Sequence, residues 1–207
     1  MESQTIKLDI TDRSERLFMK VGIKSVTTDD IARELGISKK TLYQHFTNKE
    51  ELVGAVLRQH LQREQKHITS VCLEAKDALD EIIRIGTTIT SMVEEVSAST
   101  LYDLQKYYRR YWEYMIREQD SFIMGCIIRN LQRGMRETLY RQDISLDITA
   151  KIYSKASYLI VEELADMHST QDRRQLIYAL HDYHIHAVAT PAGLEKWAAY
   201  KKEQGRP

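Results

Sequence analysis

The chain has 207 residues and only two prolines, Pro191 and Pro207, so its first 190 residues contain none. A proline ring removes a backbone N–H and clashes with the preceding turn, which makes it the strongest single breaker of a helix. With only eight glycines besides, the chain is short of the turn residues that successive strands require. An all-α fold is therefore expected. A composition of 43% hydrophobic and 29% charged residues describes a globular chain with a real core, and the length fits one or two domains.

The same reading excludes several classes. The longest apolar run, residues 122–128, is seven residues, far short of the roughly 20 that cross a bilayer, so no membrane partner is expected. Cys72 and Cys126 are too few and too isolated for a disulfide framework or a zinc site. The opening residues show no basic-then-apolar secretory pattern, and a cytoplasmic setting is expected. Thirty basic side chains balance thirty acidic ones, which argues against a globally basic nucleic-acid binder but says nothing of local patches.

Punctuation divides the chain into helices. Ile10, Ser14, Leu17, Phe18 and Val21 share one face of a helix that stops at Gly22. A short helix fits 28–35, with Thr27 and Thr28 as candidate caps; Gly36 permits a tight turn, and Ser38 caps a third helix to about residue 46. Thr47 to Glu50 reads as a capping box opening a long helix to about residue 71. Further helices are expected over 77–96, 101–116, 121–140, 145–167 and 170–189, with a short polar tail after Pro191.

The unit between Thr28 and Phe46 carries the functional signal. A helix-turn-helix needs a small residue where its helices cross, a glycine at the turn and an apolar anchor on the second helix. Ala32, Gly36 and Leu42 stand at that spacing. Residues 36–49 hold Lys39, Lys40 and Lys49 and no acid, so this stretch is locally cationic, as phosphate contact requires. Lys40, Thr41 and Gln44 share an exposed face, and all three side chains can hydrogen-bond base edges. Residues 74–103, by contrast, hold seven acids against two bases, so the neutral total averages unlike segments.

Ser38-Lys39-Lys40-Thr41-Leu42-Tyr43-Gln44-His45-Phe46-Thr47-Asn48-Lys49-Glu50-Glu51-Leu52, together with Thr27 to Ala32, Gly36-Ile37 and Leu17-Phe18, closely resembles the signature of the TetR family of transcriptional regulators. The resemblance covers about residues 10–55 and implies an N-terminal helix-turn-helix DNA-binding domain (1–48) and a C-terminal helical ligand-binding and dimerisation domain (49–207), joined by helix 49–71. It further implies phosphate contacts from Thr28, Lys39, Tyr43, His45 and Lys49, and base contacts from Lys40, Thr41 and Gln44. Lys40 stands where the family often has glycine, which alters the sequence preference.

The function so implied is a sequence-specific DNA-binding regulator, a repressor released from a near-palindromic double-stranded operator by a small-molecule effector that tilts the fourth helix. A homodimer is implied through the last two long helices, and stripes of Ile148, Ile152, Ala156, Leu159 and Ile160, and of Leu176, Leu180, Tyr183 and Ala187, permit it. Tyr107, Tyr108, Tyr111, Trp112, Met115 and Met124 are candidates to line an effector pocket. No cofactor, metal or catalytic residue is expected. The alternatives are a metal-responsive regulator using His60, Glu64 and His67 or the histidines around His181 and His184, and a small helical enzyme.

Overall fold

The computed structural model describes residues 2–166 and 169–203. Among them the regular structure is helical throughout: α1 (Glu2–Val21), α2 (Thr28–Leu35), α3 (Lys39–His45), α4 (Lys49–Glu74), α5 (Ala78–Glu95), α6 (Ala98–Tyr107), α7 (Arg109–Arg136), α8 (Leu146–Asp166), α9 (Thr170–Val188) and α10 (Pro191–Glu203). No described helix is long and apolar enough to cross a membrane. The chain divides into two compact units, Met1–Gln65 with Glu94–Arg117, and Lys66–Val93 with Glu118–Pro207.

Three sequence expectations are corrected. The long helix α7 begins at Arg109 and runs unbroken to Arg136, where separate helices over 101–116 and 121–140 were expected. The break falls instead at Tyr108, which leaves helical geometry at φ −126° and ψ 45°. Pro191 does not end the fold. It opens α10 at the first helical position, where a missing N–H costs nothing, and Trp197 buries there while donating Nε1–H to Asp182 Oδ1 at 2.8 Å. The side-chain cap opening α4 is Asn48, one residue later than expected. Asn48 Oδ1 accepts the Glu51 N–H at 2.9 Å, and Glu51 reaches back to the Thr47 N–H at 2.7 Å.

In the first unit Ile10, Phe18, Ile31, Leu42, Phe46 and Leu52 form the core. A polar lattice joins α1 to α4 beside it. Glu15, 7% exposed, accepts from His60 Nδ1 at 2.7 Å and pairs with Arg63, which also reaches Asp12 at 2.9 Å. His60 Nε2 faces Glu64 at 3.2 Å. Burial disfavours the imidazolium, but the hydrogen bonds and charges of Glu15 and Glu64 outweigh it and hold His60 at about 9, against an ordinary 6.5.

That shift sets a pH dependence. A group bound more tightly to its proton in the folded state contributes fully below its unfolded value, and loses the contribution as pH rises through the folded one. Urea unfolding followed at Trp112 should therefore show stability falling by on the order of 2–3 kcal/mol between pH 6.5 and 9.5. His60→Gln should flatten that slope, and an unchanged slope in the variant would assign the loss to other groups.

The second unit packs Leu79, Ile82, Ile127, Leu131, Ile185, Val188 and Trp197 around Tyr140. The turn after α7 holds Thr138 at φ 60° and is tied to the end of α9, with the Arg141 N–H donating to Val188 O and the Thr190 N–H to Leu139 O, both at 2.9 Å.

Candidate nucleic-acid interface

The helix-turn-helix geometry follows from local caps. Thr27 closes the N-terminus of α2 in a reciprocal box with Asp30, its side chain accepting the Asp30 N–H at 3.1 Å. Gly36 ends the helix at φ 65°, a left-handed conformation that side chains resist, and the Ile37 N–H reaches back to Ala32 O at 3.0 Å. Ser38 then caps α3 by accepting the Thr41 N–H at 3.0 Å. Leu42, 1% exposed, anchors α3 inward, beside buried Ile31 and Ala32 on α2. The side chains at 39, 40, 43 and 44 are left facing solvent.

The eight candidate DNA contacts fall into three groups. Lys40, Tyr43 and Gln44 are exposed on α3. Lys39 is exposed too, and its Nζ pairs with Asp29 Oδ2 at 3.0 Å, a surface partner that a phosphate can replace. Thr28, Thr41 and His45 are half-buried; the Thr41 hydroxyl meets the Ser38 hydroxyl at 2.8 Å, so it serves the cap as well as any base. Lys49 is the outlier. Its Nζ donates to Ile23 O at 2.5 Å, and burial pulls its affinity for a proton below the usual lysine range. It ties the start of α4 to the loop after α1.

Sequence reading missed how α6 grips that same loop. Gly22 adopts φ 87°, and a Cβ there would come within 3.0 Å of Asp103 Oδ2 and 3.1 Å of Ser99 Oγ. Asp103 accepts the Lys24 N–H at 2.7 Å, Thr100 Oγ1 donates to Phe18 O at 2.5 Å, and the Ser97 N–H donates to Met19 O at 3.3 Å. Lys24 Nζ also donates to the Tyr107 hydroxyl at 2.9 Å. Gly22 was legible as a helix stop; that it also makes room for α6 depends on a contact about 80 residues away in sequence.

The candidate pocket residues are scattered. Tyr107 is exposed and engaged with Lys24; Tyr108 is half-buried, and its hydroxyl is held above the ordinary tyrosine range by burial. Tyr111 is half-buried, packing where Gly54 of α4 leaves no room for a Cβ, while Trp112 and Met115 are buried. All five belong to the first unit, whereas Met124 packs on the core of the second. The histidine groups are engaged otherwise: His60 faces a carboxylate from each ring nitrogen, and His181 and His184 are buried beside Tyr153, with ring centroids 6.2 and 4.5 Å away. Among the described residues no cluster of three or more histidine, cysteine or carboxylate side chains is placed to hold a metal.

Residues 10–56 match the bacterial regulatory proteins of the tetR family. The chain is 36% identical over 81 residues to a probable HTH-type transcriptional regulator, ArpR of Pseudomonas putida, covering 39% of this chain and 38% of ArpR. It is 23% identical over 164 residues to the HTH-type transcriptional repressor KstR2 of Rhodococcus jostii, covering 75% and 78% of the two chains. The chain thus spans about two fifths of ArpR. In fold it is similar to a TetR-family regulator from Cytophaga hutchinsonii, with a TM-score of 0.72 at 11% identity over 92% of this chain and 98% of that one. Helix-turn-helix, caps and matched segment coincide, and over residues 10–56 the chain is similar to the TetR family of bacterial regulatory proteins.

Proposed function

We propose that the protein is a sequence-specific DNA-binding transcriptional regulator acting in the cytoplasm, a dimeric repressor released from its operator by a small molecule. Residues 1–48 form the reading head on this view, and 49–207 the dimerisation and effector part. The observation that carries the reading is α3 itself. It is capped by Ser38, anchored by buried Leu42, free of acids, and presents Lys40, Tyr43 and Gln44 to solvent. Such a helix fits a major groove, with lysine suited to guanine acceptors and glutamine to adenine.

Dimerisation is supported by the outer faces of α8 and α9. Ile148, Ile152 and Tyr183 are 62%, 61% and 71% exposed, and Ala187 is exposed beside them. Large apolar side chains bared together on two long helices favour a protein partner, and a second copy would set two recognition helices against successive grooves. The side chains of Leu159 and Ile160 lie outside those described.

For release, α4 follows directly from the recognition helix, and α6 holds the corner between α1 and α2 through Asp103, Thr100 and Ser97. An effector that shifts either helix moves the corner that orients α3. A coupling of about 1–3 kcal/mol weakens operator affinity roughly 5- to 150-fold.

Fluorescence anisotropy with duplexes tiled across the DNA upstream of the chain's own gene tests the reading. One near-palindromic duplex should bind two chains, salt-sensitively and at least about a thousandfold more tightly than scrambled sequence. Equal affinity for all duplexes would remove the sequence-specific regulator.

A further inference from the structure

Cys72 on α4 and Cys126 on α7 both belong to the second unit and are both free thiols. They share one small cluster, in which Ile68, Ile85 and Cys126 are buried and Val71, Cys72, Ile89, Met92 and Phe122 pack around them. The two thiol side chains pack into this one cluster, and Arg129, one turn along α7, places Nη2 3.2 Å from the Cys126 sulfur. Cys72 is half-buried, so the pair adjoins solvent on its side.

We propose that Cys72 and Cys126 are a peroxide-responsive redox pair that closes a reversible disulfide between α4 and α7. The division of labour follows from the surroundings. The neighbouring Cys72 thiol and the Arg129 guanidinium hold the Cys126 thiol below its ordinary range despite burial, which makes it the nucleophile. Cys72 is pushed the other way, by Cys126, by burial and by Glu81, and keeps its proton until the second step. Glu81 is itself engaged by Arg133 at 3.1 Å.

In the first step the Cys126 thiolate attacks one oxygen of hydrogen peroxide. The O–O bond breaks, hydroxide leaves and takes up a proton to form water, and Cys126 becomes a sulfenic acid. In the second step the Cys72 sulfur attacks the Cys126 sulfur. The S–S bond forms, the S–O bond breaks, and the departing hydroxide takes the Cys72 proton as a second water. Two thiols lose two electrons in all, and the peroxide gains them.

The full-length chain is treated with a small excess of hydrogen peroxide and read by intact mass, thiol titration and peptide mapping. The wild type should lose two hydrogens and both thiols within one chain, yield a Cys72–Cys126 cross-linked peptide, and regain both thiols with dithiothreitol. Cys72→Ser should stop at a sulfenic acid on Cys126 trapped by a cyclic 1,3-diketone, and Arg129→Gln should slow the reaction about five- to tenfold. Two thiols still titratable after treatment would overturn the proposal, as would sulfinic or sulfonic products without the cross-link, or cross-links between chains only. Circular dichroism on each variant shows whether its helices are intact; a Cys72→Ser chain that is folded and yet forms no trapped sulfenic acid also overturns it.

Discussion

Replacing Gln44 by alanine should weaken operator binding by about 2–6 kcal/mol, since each good base contact is worth about 1–3 kcal/mol and a dimer loses two. That is roughly 30-fold to above 10⁴-fold, and the loss should fall on the operator far more than on scrambled DNA. Gln44 is exposed on α3, so truncating it leaves the fold alone. Lys39→Ala separates the other class of contact. Its Nζ sits at the outer edge of α3, beside Asp29, and its loss should weaken binding to all sequences alike and lower the salt slope by about two per dimer. Lys49→Ala should behave like neither. Its Nζ is occupied by Ile23 O, so the loss should appear as about 1–3 kcal/mol of thermal or urea stability, with the salt slope nearly kept. Anisotropy titrations at several salt concentrations, on operator and scrambled duplexes, read all three. A Gln44→Ala chain that keeps its preference for the operator would mean that α3 is not the reading helix.

The contrast between Lys39 and Lys49 shows how far the sequence carries. Both stand in one acid-free stretch and look equally fit for phosphate. What separates them is the backbone carbonyl of Ile23, some 26 residues away, and no local pattern encodes that meeting. Local chemistry was legible: Thr27, Gly36 and Ser38 fix the helix-turn-helix through caps within four residues of themselves, and Ser169 caps α9 in the same way. The break at Tyr108 was not, because neither glycine nor proline marks it. Tyr108 leaves helical geometry while its own carbonyl accepts the Tyr111 and Trp112 N–H groups that start α7. Pro191 misled for a related reason, since proline stops a helix in its interior and starts one at its first residue. Tyr140 likewise carries no local mark that sets it apart from the other tyrosines, and the fold makes it the centre of a core.

That placement gives the largest expected loss of stability. Tyr140 is fully buried, and its ring lies so close to α7 that a Cβ on Gly134 would stand 2.0 Å from Cδ2. Its hydroxyl sits 3.1 Å from Asn130 Oδ1 and 3.3 Å from Ala78 O, and Asn130 Nδ2 donates to the same Ala78 carbonyl at 2.9 Å. Tyr140→Ala therefore opens a cavity and leaves a buried amide oxygen short of a partner. Large aromatic truncations cost about 3–5 kcal/mol, and the stranded polar group adds about 1–3 kcal/mol. Tyr140→Phe keeps the packing and should lose only about 1–2 kcal/mol. Gly134→Val attacks the same contact from the other side, because its side chain and the Tyr140 ring cannot occupy one space, and it should fall with the alanine variant. The two tryptophans report separately, Trp112 from the first unit and Trp197 from the second. In a Trp112→Phe background, urea unfolding followed at Trp197 should show the full loss in Tyr140→Ala. In a Trp197→Phe background, the signal of Trp112 should keep its midpoint if the units unfold independently and follow the loss if they unfold together. A drop below about 1 kcal/mol at Trp197 would mean that the second unit is held by its helix contacts without the ring, and that Gly134 is small for another reason.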